Sequence, residues 1–126
     1  MYTKNQSIRE LIDKNRILIA AHRGTCGGNV VQNTCLAYKN ALLHGADMIE
    51  VDASMTTDGV FYAFHNGEEP LELGIERDIR TMSSEEVEKL FTLNSLRQVC
   101  GQKLERLEEV LESFRGKCLI NIDRSW

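Results

Sequence analysis

Three apolar runs of strand length, Ile17 to Ala21, Met48 to Met55 and Cys118 to Ile122, each end at or carry side chains that can do chemistry. Runs this short, separated by stretches patterned as helix, read as parallel strands of an α/β fold, because parallel neighbours need a long crossover between them. The first run leads into His22, the second carries Glu50 and Asp52, and the third leads into Asp123. A further run, Val60 to Phe64, leads into His65. Strand ends that converge on one mouth let a parallel barrel assemble a site from residues distant in sequence.

The stretches between the runs supply the rest of the pattern. Residues 4 to 14, with Ile8, Leu11 and Ile12 among polar neighbours, predict a short amphipathic helix. A second helix is expected from Asn33 or Thr34, either of which can cap it, with Leu36, Ala37, Ala41 and Leu42 on its apolar face. Gly45 stops that helix. Asp58-Gly59 marks a tight turn, so the run from Val60 returns antiparallel and brings His65 back beside Glu50 and Asp52. Residues 66 to 80, polar and holding Pro70, read as a surface excursion. Ser83 or Ser84 with Glu86 opens a short helix, and Leu104 to Phe114, closed by Gly116, carries Leu107, Val110, Leu111 and Phe114 on one stripe.

Composition narrows the class. With 42% hydrophobic and 27% charged residues, the chain is a single globular domain over residues 1 to 126 rather than a disordered segment. Its net charge of −4, without a basic stripe, argues against nucleic acid as a partner. Cys26, Cys35, Cys100 and Cys118 form no C-x-x-C pair and read as free thiols of a reducing compartment. No apolar run reaches the ~20 residues that span a bilayer, and the polar start gives a cytoplasmic expectation. Three barrel strands and a hairpin leave an open sheet edge. The chain is therefore expected to be the first part of a longer barrel, inactive alone unless copies associate as a homo-oligomer to cover that edge.

Glu50 and Asp52, two apart in a strand, point to one face, and Ile49 and Val51 to the other. Two carboxylates on one face repel each other unless compensated. Either they hold a hard divalent ion, Mg²⁺ or Ca²⁺, or they are solvated on an edge strand. Asp123, from another strand, would be a third oxygen ligand, and otherwise a loop acid. His22 and His65 can supply one general acid and one general base, or be core histidines bonded to backbone. Arg23 has the planar fork that grips a phosphate, and Gly24 would let backbone approach a ligand closely. His44, at a helix end, suits the helix dipole, and Cys26 is a bystander thiol.

These residues in sequence, His22-Arg23-Gly24, Asn33-Thr34, Gly45-Ala46-Asp47-Met48-Ile49-Glu50-Val51-Asp52, Thr57-Asp58-Gly59 and His65, resemble the glycerophosphodiester phosphodiesterase family. Leu107-Glu108-Glu109-Val110-Leu111 ahead of Asn121-Ile122-Asp123 is also similar to it. The resemblance implies a TIM-type (β/α)8 barrel, of which this chain is the N-terminal part: three barrel strands and a hairpin. It implies hydrolysis of glycerophosphodiesters to sn-glycerol 3-phosphate and an alcohol. On that pattern His22 and His65 are acid and base, Glu50, Asp52 and Asp123 hold the Mg²⁺ or Ca²⁺, and Arg23 holds the phosphate. Four positions depart from the family pattern: Gln32 stands for Glu, Asn66 for Asp, Asp123 for Glu, and Ser125 for Lys. Gln32 and Asn66 are expected to remove negative charge near the mouth. Their alternative meaning is an altered specificity or a binding protein without turnover.

Overall fold

The computed structural model describes residues 7–15 and 17–124. Lys4, Ser125 and Trp126 lie outside those residues. Helix α1 (Ile8–Asn15) is followed by strand β1 (Ala20–His22), helix α2 (Cys35–Leu43) and strand β2 (Met48–Met55). The hairpin strand β3 (Phe61–Ala63), the one-turn helix α3 (Glu69–Glu72), a 3-10 turn at Ile79–Thr81 and helix α4 (Ser84–Val87) come next. Helix α5 (Leu107–Phe114) and strand β4 (Leu119–Asp123) complete the order.

β2 is the axis of a four-stranded open sheet. β1 lies parallel to it through Ala20↔Met48 to His22↔Glu50, and β4 lies parallel through Met48↔Leu119 to Asp52↔Asp123. β3 returns antiparallel on the far end of β2, with Ala53 opposite Ala63 and Met55 opposite Phe61. The sheet thus combines three parallel strands with a hairpin.

Alternation along β2 decides which face is covered. Ile49, Val51 and Ala53 turn toward the helices and are buried with Tyr38, Leu107, Val110 and Phe114, where the Tyr38 and Phe114 rings meet edge to face at 5.7 Å. Local signals fix the helices that cover it. Thr34 caps α2 by accepting from Ala37 N, and Gly45, at φ 95°, turns the chain out of it. Ser83 and Glu86 form a reciprocal capping box at α4. At the hairpin, Asp58 accepts from the Thr56 hydroxyl and from both the amide and hydroxyl of Ser84, so the turn also anchors α4.

Two expectations are corrected here. The run Ile17 to Ala21 is not a buried strand: Ile17 is 73% and Ile19 55% exposed, because β1 pairs on one edge only and nothing among the described residues covers its other side. Residues 66 to 80 are more than a surface excursion. Leu73 and Ile79 pack with Tyr62, Phe64, Met82 and Val87 into a second apolar cluster beneath the hairpin. Buried Glu69 holds that segment together by accepting from Gly67 N at 2.6 Å and Ile79 N at 3.1 Å.

Candidate active site at the strand ends

The other face of β2 carries Glu50 and Asp52, and both are buried, at 8% and 1% exposure. They therefore sit on the central strand, and the edge-strand reading of the pair is excluded. In-register pairing sets Asp123 opposite Asp52. One donor oxygen from each of Glu50, Asp52 and Asp123 lies within 4.8 Å of the others. Three carboxylates this close repel one another, and a hard divalent ion is the species their donor set fits.

The environment of Asp52 makes the fit more specific. Its Oδ2 accepts from Asn33 Nδ2 at 2.9 Å, and Arg23 Nε stands 2.9 Å from the same oxygen. The Arg23 contact is an ion pair, since its buried Nε makes no directed hydrogen bond. Oδ1 of Asp52 is buried and has no hydrogen-bond partner among the described residues. A buried carboxylate oxygen with a free lone pair costs free energy unless something occupies it, and a cation shared with Glu50 and Asp123 would do so. Glu50 is held differently: its Oε2 accepts from Arg23 N at 3.1 Å. Burial, and next the charge of Asp52, raise the Glu50 carboxyl above its usual range. Arg23 extends its guanidinium between acids, with Nη1 3.4 Å from Glu68 Oε1.

The two histidines flank this wall. His22 ends β1 opposite Glu50 and is exposed. His65 follows Phe64, whose N–H bonds Asp52 O at 3.1 Å, so the hairpin does return it to the end of β2 as expected. Its Nε2 lies 2.8 Å from Arg124 Nη1. Arginine can only donate, so Nε2 accepts and the ring proton sits on Nδ1, which is buried without a partner among the described residues. Arg124 also donates from Nε to Asn66 Oδ1 at 3.2 Å. Asn66, Arg80, Arg124 and Thr57 border a cavity of about 400 Å³ just past the acids.

Several readings change in detail. Gly24, at φ 81°, serves packing: a Cβ there would come within 2.7 Å of the Ala37 backbone, so the glycine lets the loop press on α2. The side-chain hydrogen bond of Gln32 goes to none of the acid trio. Its amide donates to Glu72, a buried acid on the excursion, beside a cavity of about 250 Å³. A Glu at position 32 would set carboxylate against carboxylate. Asn66 serves as an acceptor for Arg124, and Ser125 lies outside the described residues. All four cysteines are free, and His44 caps α2 with Nδ1 2.8 Å from Asn40 O. No helix among the described residues is long and apolar enough to cross a membrane.

Sequence reasoning missed Glu72, Glu68 and the part played by Asn33 and Tyr38. Asn33, anticipated only as a helix cap and motif residue, is 1% exposed and its side chain reaches the neighbouring strand. Its positive φ of 56°, a conformation asparagine tolerates better than most residues, is a signal only a structure reveals.

Comparison with known proteins agrees with this geometry. The profile of the Glycerophosphoryl diester phosphodiesterase family matches residues 22–125. A glycerophosphodiester phosphodiesterase of Caldanaerobacter subterraneus subsp. tengcongensis is 33% identical over 110 residues, covering 86% of this chain and 45% of that protein. Lysophospholipase D GDPD3 of Mus musculus is 30% identical over 105 residues, covering 78% of this chain and 32% of that protein. Among solved structures, a glycerophosphodiester phosphodiesterase from Agrobacterium tumefaciens superposes with a TM-score of 0.70 at 30% identity, over 83% of this chain and 46% of that one. A glycerophosphoryl diester phosphodiesterase from Parabacteroides distasonis gives 0.80 over 98% of this chain and 46% of that one, and at 21% identity it speaks to the fold alone. The neighbours place the sheet in a TIM-barrel-type fold, and the chain spans less than half the length of these relatives. With the profile running from the first histidine past the last acid, the chain belongs to the glycerophosphoryl diester phosphodiesterase family, whose members are phosphoric diester hydrolases.

Proposed function

We propose that this chain is the N-terminal part of a (β/α)8 barrel that hydrolyses glycerophosphodiesters to sn-glycerol 3-phosphate and an alcohol in the cytoplasm. The observation that carries the proposal is the convergence of Glu50, Asp52 and Asp123, with one buried Asp52 oxygen left free. Those three side chains would hold a divalent cation, Mg²⁺ or Ca²⁺. When bound, such an ion polarises a phosphoryl oxygen and lowers the pKa of a nearby hydroxyl.

The remaining work falls to this chain's own groups. Arg23, already among the acids, turns a guanidinium N–H toward a phosphate oxygen. One imidazole takes the proton from the attacking glycerol hydroxyl, and the other delivers a proton to the departing alkoxide oxygen. The resulting cyclic phosphate is opened by water, with the two imidazoles exchanging roles. His65 enters this scheme neutral, since Arg124 donates to its Nε2. A phosphate at the mouth competes for that guanidinium, and the lone pair on Nε2 is released to act as base.

The test is hydrolysis of glycerophosphocholine and glycerophosphoethanolamine by the full-length protein, with and without chelator, beside His22→Ala. Glycerol 3-phosphate release that disappears with chelator and in the variant supports the reading. Divalent-ion binding without release would move the protein to a ligand-binding role.

A further inference from the structure

The partners of Asp52 are not shared evenly between its two oxygens, and the asymmetry has a source outside the acid wall. Asn33 precedes the cap of α2, and its amide spans the gap to β2. Oδ1 of Asn33 accepts from Asp52 N at 3.1 Å and from the Tyr38 hydroxyl at 2.7 Å. A backbone N–H can only donate, so the amide has one admissible orientation, and Nδ2 must face the Asp52 carboxylate. The hydroxyl of Tyr38 then acts as donor. Burial first, then the charges of Glu50 and Asp52, push that phenol far above its usual range, so it keeps its proton at any working pH. The Tyr38 ring is itself fixed in the core against Phe114.

We infer that Asn33, clamped by Tyr38, is the positioning residue that commits Asp52 Oδ2 to the protein and leaves Oδ1 as the single oxygen offered to a cation. This rests on the divalent-ion reading above. The chain of contacts runs from the helix layer through one amide to Oδ2 of the carboxylate, so the packing of α2 sets the angle at which that carboxylate on β2 presents Oδ1. Without the amide, only the Arg23 ion pair at 2.9 Å holds Oδ2, and the Asp52 side chain is less restrained in which oxygen it turns to the ion. Outer partners of this kind typically change metal affinity by about 10–100-fold when removed.

The test is Mn²⁺ or Ca²⁺ affinity of the full-length protein by calorimetry, with thermal melts of the ion-free protein alongside. Asn33→Gly removes the amide while tolerating the left-handed backbone. It should weaken affinity by about 10–100-fold. Tyr38→Phe keeps the ring and removes the hydroxyl, and should weaken it by a smaller factor of about 3–10, that of one net hydrogen bond. Ala41→Gly loosens the same helix without touching Asp52, and should leave affinity unchanged while lowering the melting temperature. Wild-type affinity in both Asn33→Gly and Tyr38→Phe would overturn the inference and leave the ion site standing. An equal loss in Ala41→Gly would overturn it as well, by showing that helix stability alone moves affinity. A wild-type chain that binds neither ion removes the site itself, and the inference falls with it.

Discussion

The acid wall and the imidazole flank of the mouth are built in opposite ways. Glu50 and Asp52 sit on a strand paired along both edges, are buried, and have partners in the helix layer and the loop after β1. His22 ends a three-residue strand and is exposed, and His65 follows a hairpin and is steadied by Arg124. The difference follows from the chemistry each side would perform. Oxygen ligands must hold fixed distances around an ion, so they gain from a rigid, buried setting. Groups that exchange protons with substrate and water need access, so exposure suits them.

The largest expected effect breaks the wall directly. Asp52→Asn should weaken divalent-ion affinity by at least about 100-fold by calorimetry, more than loss of any outer partner, and unchanged affinity would show that the wall is not an ion site. Phe114→Ala tests how far the wall depends on its backing. Removing the ring that packs on Tyr38 should cost about 3–5 kcal/mol in urea unfolding, and a loss under about 1 kcal/mol would mean that α5 does not hold β2.

A smaller effect separates the excursion from both. Burial first, then repulsion from Glu68, raise the Glu72 carboxyl to about 7, against 4.5 for an ordinary Glu. The folded state therefore holds a proton that the unfolded chain releases. This contribution is fully present below pH 4.5 and disappears as pH rises through 7, amounting to about 3 kcal/mol. Glu72→Gln should flatten the fall in stability between pH 5 and 8, and an equally steep fall in the variant would place the proton elsewhere. The smallest effect belongs to the flank: Arg124→Ala should cost about 1 kcal/mol and shift the His65 Nε2 resonance in nitrogen NMR. An unmoved resonance would show that the contact does not persist in solution.

Much of the wall was legible in the sequence, and less of what supports it. Glu50 and Asp52 are two apart in a strand whose bounds, Met48–Met55, follow from its apolar alternation, so their shared face could be read directly. The same holds for Thr34 at α2 and the Ser83/Glu86 box, where the signals are local. Asn33 could not be read that way, because its role depends on a strand nineteen residues on coming within hydrogen-bond reach. The second apolar cluster was hidden because Glu69 and Glu72, acidic in the sequence yet buried in the fold, give its segment a polar composition. β1 misled in the reverse direction: an apolar run predicts burial only when both edges and faces of its strand find neighbours.

The pairing Asp52↔Asp123 carries one more consequence. Side chains alternate along β4, so a slip of a single residue would swing Ile122 or Arg124 into the place of the third acid. An ion held by all three carboxylates, as proposed, would then gauge strand alignment, since it would bind only the chain whose edges have zipped correctly. Adding it during refolding would reward the right alignment and penalise its neighbours, so that assembling the sheet and proofreading it become one event.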